Sequence, residues 1–74
     1  MNAYVHIGEE IRKQLAYQKR SVAWLATHVG NDPSSLRKML KNSYISTDLL
    51  LRISTILGKD FFAYYSQLLS GEDS

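Results

Sequence analysis

Seventy-four residues suffice for one small domain, and the lack of cysteine excludes disulfide scaffolds and thiolate zinc sites. An apolar share of 45% with four glycines and one proline is a globular composition, not a disordered or low-complexity one. The net charge of +2 hides an asymmetry: residues 1–41 hold seven of the nine Lys and Arg against three acids, residues 42–74 two against four. A basic half of this kind suits a polyanionic partner. No apolar run approaches the ~20 residues of a membrane span. The opening "MNAYVHIGEE" also lacks the basic-then-apolar order of a signal peptide, so a cytoplasmic protein is expected.

In chain order, apolar residues recur at spacings of three and four, which predicts helices nearly throughout. Ile7, Ile11 and Leu15 mark a helix over about residues 6–18. Gly8 inside it costs about 1 kcal/mol relative to alanine, which predicts a close approach there. Ser21 is an N-cap for a helix over 21–29, whose buried face is Val22, Leu25, Ala26 and Val29. Gly30 ends it by accepting positive φ. Asp32 and Pro33 then start a third helix, over 32–41. Its buried edge is Leu36, Met39 and Leu40; its opposite edge is Ser34, Arg37, Lys38 and Lys41.

"NSYIS" reads as a loop. Ser46 or Thr47 caps a fourth helix over 46–57, with Ile45 placed to staple onto Leu50. Leu49, Leu50, Ile53, Ile56 and Leu57 face inward, and Gly58 closes the helix. Asp60 is expected to cap a last helix over 60–69, from which Phe61 and Tyr65 close the core. Residues 70–74, "SGEDS", form a flexible acidic tail in this reading.

Two short helices joined by a tight turn containing glycine are the helix-turn-helix signature. In "SVAWLATHVGNDPSSLRKML", Ala26 lets the helices approach, Gly30 sits at the bend, and Leu25, Val29, Leu36 and Met39 occupy packing positions. With "IGEEIRKQL" before it and "DLLLRISTILGKDF" after it, the chain from about residue 6 to 66 resembles the Xre/Cro family of phage-repressor-like DNA-binding domains. The resemblance implies an all-α, compact five-helix fold of the lambda repressor type, here one domain over residues 1–69. It implies a third helix in the major groove, a dimer on a palindromic site, transcriptional repression and a place on the nucleoid.

The residues make a parallel physical case. An α-helix fits the B-DNA major groove, and its outward side chains reach base edges. Ser34, Ser35, Arg37 and Lys38 are the candidates for base readout. Lys13, Lys19, Arg20 and Lys41 are candidates for phosphate contact, joined by the backbone at Ser21 and Val22. Charge alone would describe an ordinary solvated face; its position on the third helix of this motif favours DNA. Trp24 and His28, four apart, are expected to be a packing pair. Phe62, Tyr64, Leu68 and Leu69 exceed the needs of a small core and form a candidate homodimer surface.

Two histidines without a carboxylate at ligand spacing make no metal motif. No cofactor, small-molecule ligand or membrane partner is implied. No nucleophile, acid–base pair or phosphate-cradling loop is present, so a non-enzyme is expected. A competing reading is a protein–protein interaction module on the same fold, antitoxin-like or anti-repressor. Val22, Asp32, Pro33 and the aromatic last helix lean toward it.

Overall fold

A computed structural model describes residues 5–71. Among them the chain forms five helices and no strand, as its all-α pattern requires: α1 (Ile7–Tyr17), α2 (Val22–Val29), α3 (Pro33–Met39), α4 (Thr47–Leu57) and α5 (Ala63–Gly71). No helix among the described residues is long and apolar enough to cross a membrane.

Local chemistry sets most of the boundaries. The Ser21 hydroxyl accepts from the Trp24 N–H at 3.0 Å, and the Ser46 hydroxyl from the Leu49 N–H at 3.2 Å. One Asp32 carboxylate oxygen accepts from both Ser34 and Ser35 N–H groups, at 3.0 and 3.2 Å. Each bond satisfies a first-turn donor that the helix itself leaves open. At the other ends, Gly30 (φ 78°) and Gly58 (φ 66°) are left-handed. The next N–H in each case bonds five residues back, Asn31 to Ala26 at 2.9 Å and Lys59 to Ser54 at 3.1 Å.

Two boundaries of α1 escape the sequence pattern. His6 is its N-cap: the imidazole Nδ1 accepts from the Glu9 N–H at 3.1 Å. At its exit Lys19 takes the left-handed conformation, φ 59°, with no glycine to ease it. Arg20 N–H then bonds Leu15 O at 2.8 Å and Lys19 N–H bonds Ala16 O at 3.0 Å, the paired closure of a Schellman motif.

Twelve apolar side chains make one buried cluster: Ile7, Ile11, Leu15, Leu25, Ala26, Val29, Leu36, Leu40, Leu50, Ile53, Leu57 and Phe61. Val22, Met39, Leu49, Ile56 and Tyr65, expected inside, are half-buried and pack against it. Gly8 is where α1 meets the end of α3. A Cβ there would run into the carbonyl of Leu40 and lie 2.7 Å from the Asn42 oxygen, so only glycine fits. Ile7 N–H donates to Ser43 O at 3.0 Å beside it, tying the start of α1 to the segment after α3.

That contact shortens the third helix. The expected 32–41 span ends at Met39; Leu40 caps it and Lys41 lies in the following turn, its N–H bonded to Lys38 O at 3.2 Å. Continuing the helix would carry the Leu40 and Asn42 carbonyls off the glycine face. The last helix is also displaced. Asp60 does not open a helix at 60; its carboxylate accepts from Phe62 N–H at 3.0 Å in a turn, and α5 begins at Ala63. Phe61 is the reason: it is fully buried, and its N–H points to the Ser54 hydroxyl at 3.4 Å. The chain dips into the core before it coils. Residues 70 and 71, expected in the tail, belong to α5; the rest of that tail, 72–74, lies outside the described residues.

Candidate nucleic-acid interface

Ala26 and Leu36 are both fully buried, one on each side of the Gly30–Asn31–Asp32 turn. Burying this pair turns the opposite side of α3 outward. Ser34, Ser35, Arg37 and Lys38 are all exposed there. The two serines give their backbone N–H groups to Asp32, and both residues are exposed on the first turn. Asn31 is half-buried and steadies the turn, its amide 3.8 Å from the Met39 sulfur.

The electrostatics separate the cations. Among the described residues, Lys13 pairs with Glu10 at 3.5 Å and Arg52 with Asp48 at 3.7 Å. Among the described residues no ion pair engages Arg12, Lys19, Arg20, Arg37, Lys38 or Lys41. Both existing pairs are exposed and worth little, but they show where charge is already answered within the chain. Of the expected phosphate contacts, Lys13 is thus the one with a carboxylate partner among the described residues. Ser21 spends its hydroxyl on capping α2, and Val22 turns its half-buried side chain to the core, so both offer only backbone.

Lys41 has left the face of α3 but gained a neighbour. With Arg12, His6, Glu9 and Leu40 it lines a concavity of about 280 Å³ between the start of α1 and the end of α3. Arg12 is a candidate that sequence reasoning missed; only the charge count pointed to it. Arg20 lies over the Trp24 ring, its guanidinium carbon 3.9 Å from the centroid, and the Trp24 and His28 ring centroids are 4.1 Å apart with the planes tilted by 31°.

The aromatic end of the chain differs from expectation. Phe62 and Tyr64 pack against the core and Leu68 is half-buried, so the candidate dimer surface contracts to Leu69, which is 70% exposed. Tyr64 is engaged within the chain: the Lys59 ammonium lies 5.6 Å over its ring. Burial, then the hydrogen bond and charge of Glu10, push its phenol above the usual tyrosine range. A small domain has too little interior to hide these rings completely, yet enough to hold one side of each.

Between α2 and α4 runs an open groove of about 480 Å³, lined by His28, Val29, Leu51, Arg52, Thr55 and Ile56, with Leu51 58% exposed. Among the described residues, no group of three or more His, Cys, Asp or Glu is placed to hold a metal ion. No family model matches the chain, and neither does any curated protein or solved structure.

Proposed function

We propose that the chain is a sequence-specific double-stranded DNA-binding regulator, a helix-turn-helix protein of the repressor type, with α3 as the element that enters the major groove. The observation that carries this reading is the outer face of α3. Ser34, Ser35, Arg37 and Lys38 are exposed together on a short helix whose other side is buried, and among the described residues no carboxylate pairs with the two cations. Such a helix matches the groove in width, and arginine is the usual partner of guanine. Lys19, Arg20, Lys41 and Arg12 supply flanking charge suited to phosphates. A two-fold dimer on a palindromic site would use the side of α5 that carries Leu69.

Selection of bound duplexes from a random pool, repeated at two salt concentrations, tests this. A recovered motif with affinity falling steeply in salt is expected. Arg37→Ala should relax the motif, while Lys41→Ala should weaken all duplexes alike. Equal binding of selected and random duplexes would reject specific readout.

The groove between α2 and α4, with Leu51 exposed above it, favours a second reading as a protein-interaction module. Co-purification of a tight protein partner, with no salt-sensitive duplex binding, would put that reading first.

A further inference from the structure

Trp24 and His28, four apart, share one side of α2, and Arg20, just before the Ser21 cap, brings its guanidinium over the same Trp24 ring. The three make a ladder built from both ends. Arg20 reaches forward over the Trp24 ring, its guanidinium carbon 3.9 Å from the centroid; the His28 ring centroid lies 4.1 Å from that of Trp24, with the planes tilted by 31°. The His28 Nδ1 lies 2.9 Å from the Trp24 carbonyl oxygen, which pins that end to the helix backbone. Trp24 is half-buried against the core, whereas Arg20 is exposed. The ladder therefore has a fixed middle and a solvent-facing cation.

A guanidinium lying over an aromatic ring keeps its N–H edge free, because its donors lie in its own plane. Among the described residues no carboxylate pairs with Arg20. Stacking also removes rotamer freedom before any ligand arrives, so less is lost on binding. A planar, pre-ordered fork with no internal partner fits an oxyanion that takes two parallel hydrogen bonds.

The position of the fork says which oxyanion. Arg20 stands at the end of α2 remote from the turn that opens α3. Eight residues of α-helix span about 12 Å, and the B-DNA major groove is about 12 Å wide. A cation at that end of α2 thus stands about one groove width from the turn, a reach suited to a bounding phosphate when α3 lies in the groove. We propose that Trp24 is a positioning residue that holds the Arg20 guanidinium ready for a backbone phosphate of duplex DNA. The proposal rests on the DNA-binding reading above and adds to it a residue that touches no DNA.

Trp24 is the single tryptophan of the chain, so its fluorescence reports on the ladder directly. The test titrates the full chain with a random-sequence DNA duplex over a range of salt, for the wild type, Arg20→Ala, Trp24→Leu, Trp24→Tyr and the Arg20→Ala/Trp24→Leu double variant. Circular dichroism melts establish that each is folded. Arg20→Ala should reduce the slope of log affinity against log salt by about 1. Trp24→Leu should weaken binding by about two- to five-fold, and Trp24→Tyr should recover most of that loss. Trp24→Leu should cost nothing further once Arg20 is gone. Duplex should change tryptophan emission in the wild type, and the change should shrink in Arg20→Ala, a readout that stands even if Trp24→Leu does not fold.

Equal losses from Trp24→Leu with and without Arg20 would overturn the positioning role, as would an emission change untouched by Arg20→Ala. Either result with salt-sensitive duplex binding intact leaves the DNA reading standing. A wild type that binds no duplex removes both. Binding of Arg20 to an acidic protein instead would appear as that last case.

Discussion

Glycine, one intervening residue and aspartate follow both α2 and α4, as Gly30-Asn31-Asp32 and Gly58-Lys59-Asp60, and the two copies end differently. Both glycines are left-handed, and both following N–H groups close the preceding helix with a bond five residues back. After the first copy a helix starts at once: Pro33 presets φ, and the Asp32 carboxylate takes two N–H groups of the first turn. After the second, Phe61 enters the core, the Asp60 carboxylate holds a single N–H in a turn, and the helix waits until Ala63. At these two sites the helix exits follow from local chemistry. What differs is the entry of the next helix, which waits wherever the following side chain must first reach the core.

The largest test of this contrast is Phe61→Ala. Removing a fully buried phenylalanine is expected to cost about 3–5 kcal/mol in urea denaturation, by lost transfer energy and the cavity left behind. A loss under about 1 kcal/mol would show that Phe61 is not what delays α5. Next come the shared exits. A Cβ at Gly30 or Gly58 would meet nothing within 4 Å, so only the φ cost remains. Gly30→Ala and Gly58→Ala should each destabilise by about 1 kcal/mol, net of the freedom alanine removes from the unfolded chain. Clearly unequal values would mean that the two exits are not equivalent.

The caps should differ. Asp32→Ala is expected to lose about 1 kcal/mol, with a matching drop in helicity. Asp60→Ala should lose on the order of 0.5 kcal/mol, because one bond is broken and no helix start depends on it. The reverse order would contradict the contrast. Equally small and of opposite sign is Lys19→Gly, which supplies the missing glycine at the third left-handed exit. It should gain about 0.5 kcal/mol in thermal or urea unfolding, yet weaken duplex binding in proportion to the charge it removes.

Much of the framework was legible because its causes are local. Ser21, Asp32, Ser46, Gly30 and Gly58 act on donors and acceptors within a few residues of themselves, and the spacing of Ile7, Ile11, Leu15 or Leu50, Ile53, Leu57 names the inward face directly. Gly8 was readable as a close approach, though not what approaches it. The His6 cap was not readable, since histidine is outside the usual capping residues. Nor was the lysine at φ 59°, a conformation rare enough that sequence alone would not assign it. For the interface, the exposed row on α3 follows from helical period, and the Trp24–His28 pair from its spacing. That Arg20 joins them, that Lys13 is ion-paired and that Lys41 stands beside Arg12 rather than on α3 depend on where helices end.

The sequence by itself thus determined the all-helical character, the exits at Gly30 and Gly58, the start of α3 and the residues on its outer side. Each rests on interactions spanning one or two helical turns. Tertiary structure alone decided the length of α3, the late start of α5 and how much of the aromatic cluster is covered. Those outcomes turn on contacts between residues far apart in the chain, Gly8 against Leu40 and Asn42, or Phe61 among the core side chains. There the energy of burying a ring or seating one backbone on another exceeds the fraction of a kilocalorie that separates one local choice from the next.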